Sequence, residues 1–191
     1  GARDLTVAAG TGNITLTGVV GAGSSLDVVA LNSTGTTTLS AAFTAGSLTT
    51  NAGGTTAING GAVTTTGAQT YNDNVTLGAN TALSATTATF NGTVVGGTFN
   101  LGVTGNAVFG DATTDTVTGL GTLSISGTTT INTDTITSAG TQTYTGAVTL
   151  GADTTLTTTD SAVLFSSTVD STGGARDLTV AAGTGNITLT G

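Results

Sequence analysis

Apolar residues in this chain fall in pairs two positions apart, each pair fenced by glycine or by small polar residues. Leu5 and Val7 flank one threonine, and Ile14 and Leu16 flank another. The same spacing recurs at Leu26 and Val28, Thr37 and Leu39, Thr56 and Ile58, Val75 and Leu77, and Leu101 and Val103. It continues at Leu123 and Ile125, Val148 and Leu150, Val163 and Phe165, and Leu178 and Val180. Alternation over such short stretches predicts short strands with one buried face. Gly-Ala, Gly-Thr-Gly, Gly-Gly and Asn-Gly lie between them and supply the turns. No stretch has a sustained helical apolar period, and the alanine-rich pieces carry too much glycine and threonine for helix.

A longer pattern overlies the short one. GARDLTVAAGTGNITLTG occurs at Gly1–Gly18 and again, unchanged, at Gly174–Gly191, an offset of 173. Residues 1–173 then read as one full tandem unit, and residues 174–191 as the start of the next. A weaker repeat relates about 47–97 to about 122–174. GAQTYNDNVTLGANTAL (Gly67–Leu83) matches GTQTYTGAVTLGADTTL (Gly140–Leu156) at an offset of 73, Phe90 matches Phe165 at 75, and Leu101 matches Leu178 at 77. Such drift is expected when turns absorb insertions while a stacked core keeps its register.

Two architectures suit short strands with internal repeats. One is a parallel β-solenoid with about 19 to 22 residues per coil, hence roughly eight or nine coils per tandem unit. The other is a string of antiparallel, Ig-like sandwiches of about 90 residues each. Strand shortness, drifting offsets and a core of modest aliphatics with only five Phe and two Tyr favour the solenoid. The expected fold is therefore all-β, a right-handed parallel β-helix once the resemblance described below is added.

Composition sharpens this reading. The net charge is −8, with ten Asp, no Glu, Lys or His, and cations only at Arg3 and Arg176. That balance argues against a nucleic-acid partner, which needs a basic surface. No apolar run approaches the length of a membrane span, so membrane insertion is not expected. Threonine makes up roughly a quarter of the chain and favours strands. Proline is absent, as suits strands with a ladder on both sides. Cysteine is absent too, which suits a long chain exported unfolded.

Each candidate site has a structural alternative beside it. Asp111 and Asp115 could form a carboxylate pair of the kind polysaccharide-cleaving β-helices use, or simply a polar loop. General acid–base partners are nearly missing, so no catalytic residue is assigned and no enzyme is expected. Asp73 and Asp134 could meet Ca²⁺, but calcium wants six to eight oxygens with several carboxylates close together. No metal site and no cofactor are therefore assigned. Outward threonines such as Thr15 and Thr17, or Thr157–Thr159, could build a flat ice-binding array if a Thr-x-Thr pair recurred at one place in every coil. Along the chain they look too irregular for that. Arg3 and Arg176, each followed by Asp, could form local ion pairs or join neighbouring rods. Tyr71 and Tyr144 share a Gln-Thr-Tyr context that suggests equivalent packing in two half-units, with sugar stacking as the alternative.

The two GxQTY…VTLGA segments, with TFNGTVVGG (Thr89–Gly97), LFSSTVDSTGG (Leu164–Gly174) and TVAAGTGNITLTG (Thr6–Gly18 and Thr179–Gly191), resemble the repeat regions of filamentous haemagglutinin-like adhesins. These are giant bacterial proteins exported by two-partner secretion. The resemblance is one of composition and rhythm, and it covers nearly the whole chain. It implies a right-handed parallel β-helix at the surface of, or secreted by, a Gram-negative-type bacterium. It brings no catalytic residues. The expected role is a stiff stalk or filament for adhesion, cell contact or matrix. Head-to-tail neighbouring repeat units, parallel filaments and cell-surface glycans are the expected partners. A carbohydrate-binding face on the same rod is the alternative.

Overall fold

The computed structural model describes residue 1 and residues 3–191. Among them there are 23 strands and no helix, and so no helix long and apolar enough to cross a membrane. Every strand pairing is parallel, and the chain winds into a β-solenoid of about nine turns.

Each full coil carries three strand segments, which define three faces. Face I includes residues 43–45, 62–65, 81–84, 101–103, 123–125, 142–144, 163–165 and 187–189. Face II includes residues 5–10, 29–33, 48–50, 69–71, 88–90, 107–109, 129–131, 148–150 and 169–171. These two faces form one 14-stranded sheet. Face III is a separate 9-stranded sheet that runs from Ile14–Leu16 to Leu178–Ala181. Face II can be followed from Leu5 through Val29, Leu48, Gln69, Ala88, Ala107, Thr129, Val148 and Val169. The coils are unequal: Leu5 to Val29 is the longest step, and Ala88 to Ala107 is among the shortest.

The core is a set of columns along the axis, because period-two alternation sends one side of every strand inward. Val7, Leu31, Thr50, Tyr71, Phe90, Phe109, Ile131 and Leu150 stack as one column of face II. Ile14, Thr37, Thr56, Val75, Val94, Val117, Ile136, Leu156 and Val180 form the matching column of face III. Nearly all the expected pairs point inward. The exception is Leu26 and Val28: Val28 is 48% exposed, and Val29 and Leu31 take the buried positions. The strand slips phase at Asp27–Val28, where the chain turns from face I to face II, so two consecutive residues face outward.

Interior packing is ordered by column. Tyr71 stacks on Phe90 with ring centroids 5.3 Å apart, and Phe90 stacks on Phe109 at the same distance. Tyr144 stacks on Phe165 at 5.2 Å. These separations lie close to the inter-strand spacing of a sheet, so one aromatic per coil in one column produces an offset stack without adjustment. Beside the face II stack sit Ala88 and Ala107, small where their neighbours in the same strand are large.

Candidate functional site

The loop holding Asp111 and Asp115 leaves the coil after the buried Phe109 and returns at Thr116. Asp115 Oδ2 accepts the N–H groups of Asp111 at 3.2 Å and Ala112 at 3.1 Å. That carboxylate closes its own turn, as Asp does in many loops. Asp111 and Asp115 belong to a polar connection between coils.

Asp73 and Asp134 are not brought together. Asp73 is 1% exposed and points into the wall of the solenoid. Its Oδ1 accepts the Gly54 N–H at 2.9 Å, and its Oδ2 accepts the Thr56 hydroxyl at 3.3 Å. Burial raises its pKa above the ordinary carboxylate value, partly offset by those two hydrogen bonds. Asp134 is exposed, and in the face III register its corner neighbour one coil below is Asp115. Among the described residues no group of three or more acidic side chains is close enough to share a cation.

The threonines are far more regular in space than along the chain. On face III the outward positions of successive coils carry Thr36 and Thr38, Thr55 and Ala57, Asn74 and Thr76, and Thr93 and Val95. Higher up come Thr116 and Thr118, Thr135 and Thr137, and Thr155 and Thr157. Four of these seven layers present a full Thr-x-Thr pair, and each of the other three keeps one threonine. Thr15 belongs to this surface; Thr17 lies beyond the strand, and Thr158 points inward, 5% exposed. Outward threonines also line face II at Thr49, Thr70, Thr89, Thr130 and Thr149. Cross-strand threonine pairs stabilise a sheet modestly wherever they stack.

Tyr71 and Tyr144 are both fully buried, and burial pushes both phenols up. Each donates its hydroxyl to the glutamine two positions earlier: Tyr71 to Gln69 Oε1 at 3.0 Å, Tyr144 to Gln142 Oε1 at 2.9 Å. The glutamine amides in turn donate across the interior to backbone carbonyls, Gln69 to Val63 and Ser84, Gln142 to Thr157. Packing in the two half-units is thus equivalent, and neither ring is available to a sugar. Their faces differ, however: Tyr71 lies on face II and Tyr144 on face I.

Arg3 and Arg176 are exposed. Beside Arg3, Asp4 turns its carboxylate to the coil above, where Oδ1 accepts the Val28 N–H at 3.1 Å. An open depression of about 600 Å³ lies between Gly1, Arg3 and residues 24–26, and no carboxylate lines it.

Sequence reading missed the corner residues. The Thr36 N–H donates to Asn13 Oδ1 at 2.8 Å, Thr93 N–H to Asn74 Oδ1 at 3.0 Å, and Thr128 N–H to Asn106 Oδ1 at 2.9 Å. Asp153 and Asp160 accept from Asp177 and Thr184 in the same way. In each case a side-chain oxygen at the corner of one coil satisfies a backbone donor of the next, where the ladder is interrupted. Over Asn13, Asn74, Asn106 and Asp160 the residue before that donor is glycine, whose missing Cβ leaves room for the oxygen. A Cβ on Gly35 would sit 2.6 Å from Asn13 Oδ1, and one on Gly92 2.7 Å from Asn74 Oδ1. The readable signal is an Asn followed one coil later by Gly, as Asn13 is by Gly35 and Asn74 by Gly92.

Comparison with known proteins returns no match to a family model, to a curated protein or to a solved structure.

Proposed function

We propose that this chain is a structural segment of a giant extracellular repeat protein similar to the filamentous haemagglutinin-like adhesins, in which it forms part of a stiff stalk or filament. The observation that carries this reading is the continuity of the solenoid. Both sheets run unbroken from the first coil to the last, and the columns of side chains inside leave one contiguous core. A rod of this kind resists bending and proteolysis because each coil is held by its neighbours on both sides. The role is mechanical: it spans distance between a cell surface and whatever the ends of the larger protein engage. Low charge, absent cysteine and a threonine-rich exterior suit an exported rod. The partners proposed are further repeat units in line and parallel rods beside it.

The second reading is a glycan-binding face along the same rod, and the observation favouring it is the threonine-lined face III, whose hydroxyls are presented at regular spacing. Glycan-array binding by the purified chain separates the two. Retained rod shape in electron micrographs with no glycan bound supports the stalk. Saturable binding lost on replacing Thr116, Thr118, Thr135 and Thr137 by alanine favours the adhesive face.

A further inference from the structure

Face III meets the condition that the order of residues along the chain seemed to deny. From the second coil to the eighth its two outward columns make seven layers of two positions, and the residues there other than threonine are Ala57, Asn74 and Val95. None of these positions is charged or aromatic. Three consecutive layers are complete: Thr116 and Thr118, Thr135 and Thr137, and Thr155 and Thr157. Each of the seven layers has a coil of this chain on both sides, so the face owes nothing to the ends of the chain. Face II differs: its single outward threonine column, with Thr49, Thr70 and Thr89, runs beside a column of asparagines, Asn51, Asn72 and Asn91.

The backbone sets the spacing of these groups. Coils of a parallel stack repeat at ~4.8 Å, and side chains two positions apart on one strand repeat at ~6.6 Å, twice the rise per residue. The complete layers therefore present paired hydroxyl and methyl groups on a nearly rectangular net. Planes of hexagonal ice carry oxygen atoms at closely similar intervals in two perpendicular directions. The net is also stiff. Threonine is β-branched and has few rotamers, and its strands are held by ladders above and below. Two hydroxyls are fixed further by backbone donors: Thr93 Oγ1 accepts the Thr116 N–H at 3.3 Å, and Thr137 Oγ1 accepts the Gly119 N–H at 3.1 Å. Each keeps its own proton to donate to water.

The chemistry of the net selects its ligand. To a sugar it offers no aromatic ring to stack on, and its polar groups repeat instead of converging on one site. A protein partner needs aromatic or arginine anchors, and the one large apolar side chain standing out of this face is Val95. A crystal of water needs the opposite: a repeating, uncharged surface. We infer that face III binds ice. Its methyl groups hold water in ordered cages above the sheet, and its hydroxyls tie those cages to the protein. Because the groups are fixed before binding, little freedom is lost when the ordered water merges with a crystal. The inference goes beyond the stalk reading and rests on the solenoid alone; on a stalk, this face makes the rod itself adhesive towards ice.

The test grows ice slowly in a dilute solution of the full chain. Protein in the ice is measured against protein in the liquid, and single crystals are watched by microscopy. The parent chain is expected to concentrate in the ice and to facet the crystals. Thr118→Lys combined with Thr137→Lys, within the complete layers, is expected to abolish both effects and leave the chain excluded from ice like an ordinary solute. Thr36→Lys combined with Thr38→Lys, lower on the same face, is expected to weaken both, and it carries the test should circular dichroism show the first variant unfolded. The same change on face II, Thr70→Lys combined with Thr130→Lys, is expected to leave both effects intact. Exclusion of the parent chain from ice overturns the inference, and so does an equal loss from variants of the two faces. Glycan binding through face III by a chain that ice excludes also overturns it and gives the face to the second reading above. Rods in electron micrographs of an excluded chain leave the stalk reading standing, so the two can fail separately.

Discussion

The Gln69–Tyr71 pair gives the sharpest test of how the interior is held. Both side chains are fully buried. Tyr71 donates its hydroxyl to Gln69 Oε1 at 3.0 Å, while Gln69 Nε2 donates to the Val63 and Ser84 carbonyls, each at 3.0 Å. Tyr71→Phe keeps the ring and its stack on Phe90 but leaves Gln69 Oε1 without a donor. A buried acceptor stranded in this way costs about 1–3 kcal/mol. Gln69→Leu strands the tyrosine hydroxyl and withdraws the donor from two carbonyls, so it costs more than the tyrosine change. In the Gln69→Leu background the sign of Tyr71→Phe reverses. It then removes an orphaned hydroxyl instead of creating an orphaned oxygen, and is expected to be neutral or stabilising. The coupling between the two changes is therefore about 1–2 kcal/mol or more. Urea unfolding followed by far-ultraviolet circular dichroism on the four chains reads it directly. The twin pair Gln142 and Tyr144, at 2.9 Å on another face, is expected to repeat the sign change. An equal cost for Tyr71→Phe with and without Gln69 would refute the buried bond.

Other perturbations have equally definite outcomes. The hydroxyls of Thr50 and Thr129 are buried without a partner, so Thr50→Val and Thr129→Val are each expected to raise unfolding free energy by about 1 kcal/mol, read from urea midpoints. Gly92→Ala drives a Cβ to 2.7 Å from Asn74 Oδ1 and is expected to cost about 1–3 kcal/mol, part of it recovered in an Asn74→Ala background. Burial raises the native pKa of Asp73 above its ordinary value of 3.8, so the native chain holds that proton more tightly than the unfolded one. The stability it adds is fully present below the unfolded value and is lost as pH rises through the native value. Asp73→Asn is therefore expected to gain stability relative to the parent as pH rises, and parallel stability curves for the two chains across the acid range would contradict this.

Strands were largely legible because alternation is local: Val75 and Leu77, or Leu123 and Ile125, declare their buried side without any knowledge of the fold. Coil count was legible too, because about 19 to 22 residues per coil over the tandem unit makes roughly eight or nine coils, and the solenoid winds about nine turns. The face of each strand was not legible. Coil lengths vary because turns take up insertions, as the long step from Leu5 to Val29 and the short one from Val29 to Leu48 show. An offset of 73 or 173 therefore cannot be converted to a face without the register. Threonine regularity was hidden for the same reason: Thr116, Thr135 and Thr155 become neighbours only after two coils of unequal length are wound. The Val28 slip arises where a strand bends across a corner, a place at which strict alternation has no physical basis. The corner acceptors were invisible because their partners lie a coil away: Asn13 looks like a turn residue until Thr36 is stacked above it.

All of this depends on strands stacking across the rod axis. The most direct measurement is the axial spacing of oriented rods of this chain, by fibre diffraction or electron cryomicroscopy. A strong axial repeat near ~4.8 Å, with a single chain ~43 Å long from nine coils, is the expected result. Strands running along the axis, with sheets packed face to face and no axial repeat near ~4.8 Å, would contradict it.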